Sequence, residues 1–172
     1  MEDIARETGL TKSSIYYHVA SKEELLGRAL ERAFGPLLAI LEEPPSKAGT
    51  AIDRLKYIVH RAVVITLEFV QEVELLQRIK GNTKTEREAL GWRRRMDHEV
   101  ASLVAQAARA GEIRPGIEPD LLTRLIFGMS NSITQWYRAE GRLAAEDIAA
   151  AVSTLVFEGV AVHGRRQPLA RA

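Results

Sequence analysis

Glycine and proline are sparse in this chain and fall in a few places, and the stretches between them repeat apolar residues every third or fourth position. That spacing gathers the apolar side chains on one helical face. No stretch shows the two-residue alternation that a half-buried strand requires. The pattern restricts the chain to an all-α fold. Leu25, Leu26, Ala29, Leu30, Ala33, Leu37, Leu38 and Leu41 form one stripe, which Gly35-Pro36 is expected to kink because proline removes an internal hydrogen bond. Glu43-Pro44-Pro45-Ser46 ends it. From Thr50 to about Glu68 the apolar arc is so wide that the helix is expected to be central. A bend near Phe69–Glu72 precedes a short helix over Val73–Lys80, stopped by Gly81-Asn82. Thr83–Ala110 reads as the longest helix, with Gly111 as its C-cap. Two prolines forbid helix through most of 111–120. The last two helices are expected over about 119–138 and 146–163, and the tail 165–172, with no apolar stripe, is expected to fray.

The stretch Thr11–Lys22, TKSSIYYHVASK, carries the chemistry. It holds lysines, hydroxyl-bearing residues, two adjacent tyrosines and a histidine, and no acid. Ile15 and Val19, four apart, supply one narrow apolar seam, so the remaining side chains face outward as hydrogen-bond donors. Such a face suits the phosphates and base edges of a DNA major groove. Glu2–Glu7 reads as a short helix with Ile4 and Ala5 inward. Gly9 supplies the positive φ that ends it, and Thr11 caps the next helix. Ser21-Lys22-Glu23-Glu24 opens a third helix as a capping box. Helix, tight turn, cap and second short helix make a helix-turn-helix with Lys12–His18 as the recognition helix. Taken singly, the tyrosines could be packing aromatics and the lysines solvated charges. Their ordered combination favours the DNA-binding reading.

The run DIARETGLTKSSIYYHVASKEELL resembles the DNA-binding signature of the TetR family of bacterial transcriptional regulators, the IYYHV core followed by SKEELL being its specific part. The resemblance implies that Lys12, Ser13 and Ser14 read bases or touch phosphates beside the capping Thr11. It implies that Tyr16, Tyr17 and His18 grip the DNA backbone, and that Lys22 meets a phosphate. It covers about the first 35 residues strongly and the rest in architecture only. The family carries a further helix ahead of Asp3 that this sequence lacks. That departure leaves a second reading, a truncated helical ligand-binding dimer that no longer binds DNA. The implied organisation is a head with its connecting helix over 1–41, an effector-binding and dimerisation body over 42–164, and the tail 165–172.

The last two helices mix a broad apolar arc with small residues. Leu121, Leu122, Leu125, Ile126, Met129, Ile133 and Trp136 are interleaved with Gly128, Ser130 and Ser132, and Ile148, Val152, Leu155, Val156 and Val160 with Ala149–Ala151, Gly159 and Ala161. Helices apolar over so much of their surface need more partners than one chain offers, which favours a twofold four-helix homodimer interface. A dimer places two recognition helices one DNA turn apart, as a palindromic operator in double-stranded DNA requires.

The family resemblance also implies an effector pocket in the middle helices. Its expected lining is Tyr57, His60, Val64, Phe69, Trp92, Met96, Val100, Met129, Ile133, Trp136 and Tyr137. The run FGMSNSITQWYRAEGRLAAEDIAAA resembles the C-terminal helices of TetR-like regulators of fatty-acid and sterol catabolism, some of which sense acyl-CoA thioesters. In that reading Trp136, Tyr137 and Arg138 lie near the pocket mouth. The effector is otherwise a hydrophobic or amphipathic small molecule.

With a net charge of +1, DNA affinity must come from the local patch rather than a global field. The chain has no cysteine, no apolar leader after Met1 and no run of apolar residues long enough to span a bilayer, which together fit a cytoplasmic protein with no membrane partner. His18, His60, His98 and His163 fall in no metal or catalytic spacing, and no phosphate loop, nucleophile elbow or carboxylate pair is present. Catalysis, metal and cofactors are therefore not expected.

Overall fold

A computed structural model describes residues 1–114 and 116–158. Its head comprises α1 (Glu2–Thr8), α2 (Lys12–His18) and α3 (Lys22–Ala39). A 3₁₀ turn over Ile40–Glu42 and the one-turn helix α4 (Pro44–Lys47) lead into the body. The body continues as α5 (Ala51–Glu68), α6 (Val70–Arg78), α7 (Lys84–Arg109), α8 (Pro119–Trp136) and α9 (Ala145–Phe157). The described residues contain no strand.

Local chemistry sets most of these boundaries. The hydroxyls of Thr11, Ser21, Thr50 and Thr83 each accept a hydrogen bond from the backbone amide three residues on, satisfying donors the helix itself leaves unpaired. Thr50 and Asp53 complete a reciprocal capping box. Glu118 caps α8 through the amides of Asp120 and Leu121, with Pro119 in the first turn, where its missing N–H is no loss. Gly111 adopts φ 73° beyond α7 while the Glu112 amide donates back to Ala107, a left-handed C-cap.

The body is organised around α5. Leu55, Ile58, Val59, Val63, Ile65 and Leu67 are buried against Met96, Val100, Leu103 and Val104 of α7, Ile126 and Ile133 of α8, and Ile148, Ala149 and Val152 of α9. A smaller cluster of Leu30, Phe34, Leu76 and Ala89 fastens α3 to α6 and α7, with Trp92 half-buried against it.

Four details depart from the periodicity. Proline 36 lies inside α3, which remains helical to Ala39 before tightening into the 3₁₀ turn. The Pro44-Pro45 stretch stops α3 yet forms a helical turn of its own, because proline is well suited to a first turn. The break after α5 is confined to Phe69 (φ −120°, ψ 43°), so α6 begins at Val70 rather than Val73. Helix α8 ends at Trp136, with Tyr137 extended. The expected continuation of the last helix to His163 and the tail 165–172 lie outside the described residues.

Candidate functional site

The head presents the predicted donors on an open face. Gly9 turns the chain at φ 66°, with the amides of Gly9 and Leu10 donating back to Arg6 and Ala5. Thr11 then accepts from the Ser14 amide at 3.1 Å, so its hydroxyl starts α2. Ile15 and Val19 are buried, while Thr11, Lys12, Ser13, Tyr16, Tyr17, His18 and Lys22 are exposed and Ser14 is half-buried. Tyr17 is 87% exposed and stacks edge-on against His18 with ring centroids 5.3 Å apart. A tyrosine so uncovered on a two-turn helix has little role in stabilising its own chain. Lys12 lies 3.2 Å from Glu2 of α1, an exposed pair that phosphates can readily displace. Lys22 occupies the first turn of α3, where the helix dipole disfavours a cation. Its contribution to the stability of α3 is therefore small.

A carboxylate joins head to body. Glu23, in the first turn of α3, accepts from the backbone amide of Thr85 at 3.2 Å and from its hydroxyl at 3.0 Å. Thr85 lies in the first turn of α7, so the acid also meets the positive end of that helix. Gly27, one turn further along α3, gives the close approach: a Cβ there would lie 3.4 Å from the Thr85 methyl. Just beneath, Glu86 accepts from the amides of Lys80, Gly81 and Asn82. Hydrogen bonds, first to the Thr85 amide, hold Glu23 below its ordinary value, and the Asn82 amide leads in doing the same for Glu86. Carboxyls depressed in this way contribute fully above the ordinary carboxylate range, and the contribution is lost as pH falls through the depressed values. Glu23→Ala is therefore expected to lower Tm at neutral pH and to lower it by less at acid pH, the difference shrinking as pH falls through the depressed value and the wild-type carboxylate takes up its proton. Thermal unfolding of both proteins at the two pH values checks this.

Between α3, α5, α6, α7 and α8 lies an inner cavity of about 80 Å³. Its walls are apolar, from Phe34, Leu37, Ile58, Val59, Ala62, Val73, Leu76, Met96, Val100, Ile126 and Phe127. Gln77, Arg93, Asp97, Asn131, Thr66 and Ser130 supply its polar groups. Gln77 donates to the Asn131 carbonyl at 3.3 Å, bridging α6 to α8. Desolvation raises the half-buried Asp97 carboxyl, against the pull of Arg93 one turn earlier. A wider outer cleft of about 490 Å³ between α7 and α8 shares Arg93, Asp97, Phe127 and Asn131 with the cavity.

Of the side chains expected around an effector, Met96 and Val100 line this cavity. Trp92 packs behind Phe34, edge-on at 5.6 Å. Val64 and Tyr137 are half-buried against the main core. Tyr57 donates to Glu43, which raises the phenol, and so belongs to the corner between α4 and α5. His60 meets Glu146 of α9 at 2.9 Å. Phe69 lies at the α5–α6 break under the Arg32 guanidinium, 5.8 Å from its ring centroid. Met129, Ile133 and Trp136 instead border a shallow groove between α8 and α9. Periodicity missed the wall residues of α3 and α6, because Phe34, Leu37, Val73 and Leu76 carry the same signal as any core position. Nothing in the sequence marks Gln77, Arg93 or Asp97 as residues of a pocket.

Helices α8 and α9 leave an apolar face uncovered. Leu121, Leu125 and Trp136 are more than half exposed, Met129 lies on the same side, and Leu155 of α9 is 44% exposed. On α8 these recur at steps of four, four and seven residues, with Gly128 and Ser132 between them, which keeps them on one face of the helix. A monomer rarely leaves so many large apolar side chains contiguous and open.

A family model described as "Bacterial regulatory proteins, tetR family" matches residues 1–29, and one described as "Tetracyclin repressor-like, C-terminal domain" matches residues 48–160. The chain is similar to the HTH-type transcriptional repressor KstR2 of Mycobacterium tuberculosis, at 25% identity over 95% of this chain and 84% of that protein. It resembles the crystal structure of SCO3833, a TetR-family member from Streptomyces coelicolor A3, at 46% identity and a TM-score of 0.87, covering 94% of this chain and 82% of the other. It shares its fold, at 21% identity and a TM-score of 0.72 over 90% of this chain and 85% of the other, with AibR solved in complex with isovaleryl coenzyme A and operator DNA. Two family domains matched in order along one helical chain, with a 46%-identical relative spanning nearly all of it, establish that the protein belongs to the TetR family of transcriptional regulators.

Proposed function

We propose that the protein is a homodimeric repressor that grips a palindromic operator through α2 and lets go when an amphipathic small molecule, of the acyl-CoA kind, enters the inner cavity. In this reading residues 1–41 form the head, the body begins at 42, and two chains pair through α8 and α9. Thr11–Ser14, Tyr16–His18 and Lys22 meet the DNA. Met96 and Val100, with the side chains of α3, α5, α6 and α8 around them, meet the effector.

The observation that carries the reading is that Phe34 and Leu37 belong both to the cavity wall and to α3, the helix that follows directly on the recognition helix. At about 80 Å³ the cavity falls well below the roughly 300–1,000 Å³ usual for small-molecule sites. An acyl chain therefore enters only by parting the helices. A ligand that binds the parted arrangement better shifts the protein toward it, displaces α3, and changes the separation of the two recognition helices. Operator and effector affinities are then reciprocally linked. The AibR complex, which holds both an acyl-CoA and DNA on a similar fold, supports the same pairing of ligands. No helix among the described residues is long and apolar enough to cross a membrane.

The test is release of a labelled operator by an acyl-CoA, compared with an Ala62→Phe variant whose added ring fills the cavity. Overpacking of this kind costs about 1–3 kcal/mol of stability, and circular dichroism checks that the variant is folded. Operator affinity should stay within about threefold of wild type, while the concentration of acyl-CoA needed for release rises by at least about tenfold. An unchanged response places the effector elsewhere.

A further inference from the structure

We propose that the outer cleft between α7 and α8 holds an anionic head of the effector, and that Asp97, at the neck between cleft and cavity, makes the protein accept a conjugated acyl group such as a CoA thioester in preference to the free acid. This rests on the effector reading above and names the ligand chemistry of that same site.

The two spaces differ in character and meet at four residues. The inner one is mainly apolar. The outer one is open, and Arg93, His98 and Arg124 line it together with Asp97 and Asp120. Among the described residues Arg93 and Arg124 have no carboxylate within ion-pair distance, whereas Arg28, Arg32, Arg78 and Arg95 each have one. Two unpaired guanidiniums on facing helices can meet phosphate oxygens bidentately.

Asp97 lies where the two spaces join, since it lines both. Among the described residues its carboxylate makes no hydrogen bond and no ion pair, although Arg93 stands one turn away on the same helix. It is half-buried, so its field at the neck is screened less than that of a surface acid. A fatty acid with its tail in the cavity would bring its own carboxylate to this neck, against a like charge in a medium of reduced dielectric. A thioester of the same chain is neutral at the neck. Its negative charges lie many bonds further out, beside Arg93 and Arg124. The carboxylate thus rejects one head group without touching the other, a repulsive element of the kind that specificity requires.

Calorimetric titration of the full chain with octanoyl-CoA and with octanoate tests this. Wild type should bind octanoyl-CoA at least about tenfold more tightly than octanoate. The isosteric Asp97→Asn should close most of that gap by tightening octanoate. Arg124→Ala should weaken octanoyl-CoA and flatten its salt dependence, and leave octanoate unchanged. Equal binding of the two ligands by wild type, or an unchanged ratio in Asp97→Asn, overturns the inference and leaves the effector reading standing. Binding of neither ligand by a chain that still holds its operator overturns both.

Discussion

Leu125→Arg should yield folded monomers that no longer hold the operator. Leu125 is 56% exposed on α8, so a charge there meets solvent in the isolated chain and disturbs no core contact. In a twofold pair built on α8 and α9 the same residue is brought toward its counterpart among Leu121, Met129, Trp136 and Leu155. Two guanidiniums would then be buried without partners, and an uncompensated buried charge costs several kcal/mol. The dimer dissociation constant is expected to rise by at least about 100-fold. Operator affinity follows, because losing the tether between two half-site contacts removes an avidity of about 10²–10⁴. Light scattering coupled to size exclusion, with circular dichroism to confirm folding, reads the first effect, and operator anisotropy reads the second. A dimeric Leu125→Arg protein would show that the pairing face lies elsewhere.

Tyr17→Ala carries the second large effect. The ring is 87% exposed, and its one aromatic neighbour, His18, is itself on the surface. Removing it should leave Tm within about a degree, as surface substitutions that touch no packed feature usually do. Operator affinity should fall by about 10–100-fold, the range for losing a large aromatic anchor in each half-site. The loss should be nearly uniform across operator variants, because a backbone contact positions the protein without reading sequence. A drop in Tm with unchanged DNA affinity would make Tyr17 a packing residue.

The head was legible because its signals are local. Thr11 and Ser21 announce their caps by residue type, Gly9 its left-handed turn, and Ile15 and Val19 the single seam of α2. The breadth of the α5 stripe likewise foretold its central place. The cavity was not legible, for a physical reason. A pocket wall and a well-packed core are made of the same side chains, and what separates Phe34 or Val59 from Leu55 is whether neighbouring helices close over them. Helix α8 shows the related ambiguity. It has apolar residues on two sides, and periodicity cannot tell that Ile126 and Ile133 point into the body while Leu125, Met129 and Trp136 point out of it. Asp97 and Arg93 sit in a charged run, and their meeting with α8 at the neck of the cavity is a tertiary fact.

A ligand-sensitive, dimeric grip on DNA is tested most directly by fluorescence anisotropy of the wild-type chain on the palindromes upstream of its own gene, across a salt series. One of them should bind two chains, more tightly than a scrambled duplex by at least about 10³-fold. The logarithm of affinity should fall linearly with the logarithm of salt concentration, as phosphate contacts by Lys12 and Lys22 demand. Binding that is absent, or no tighter on a palindrome than on scrambled DNA at any salt concentration, would contradict the account.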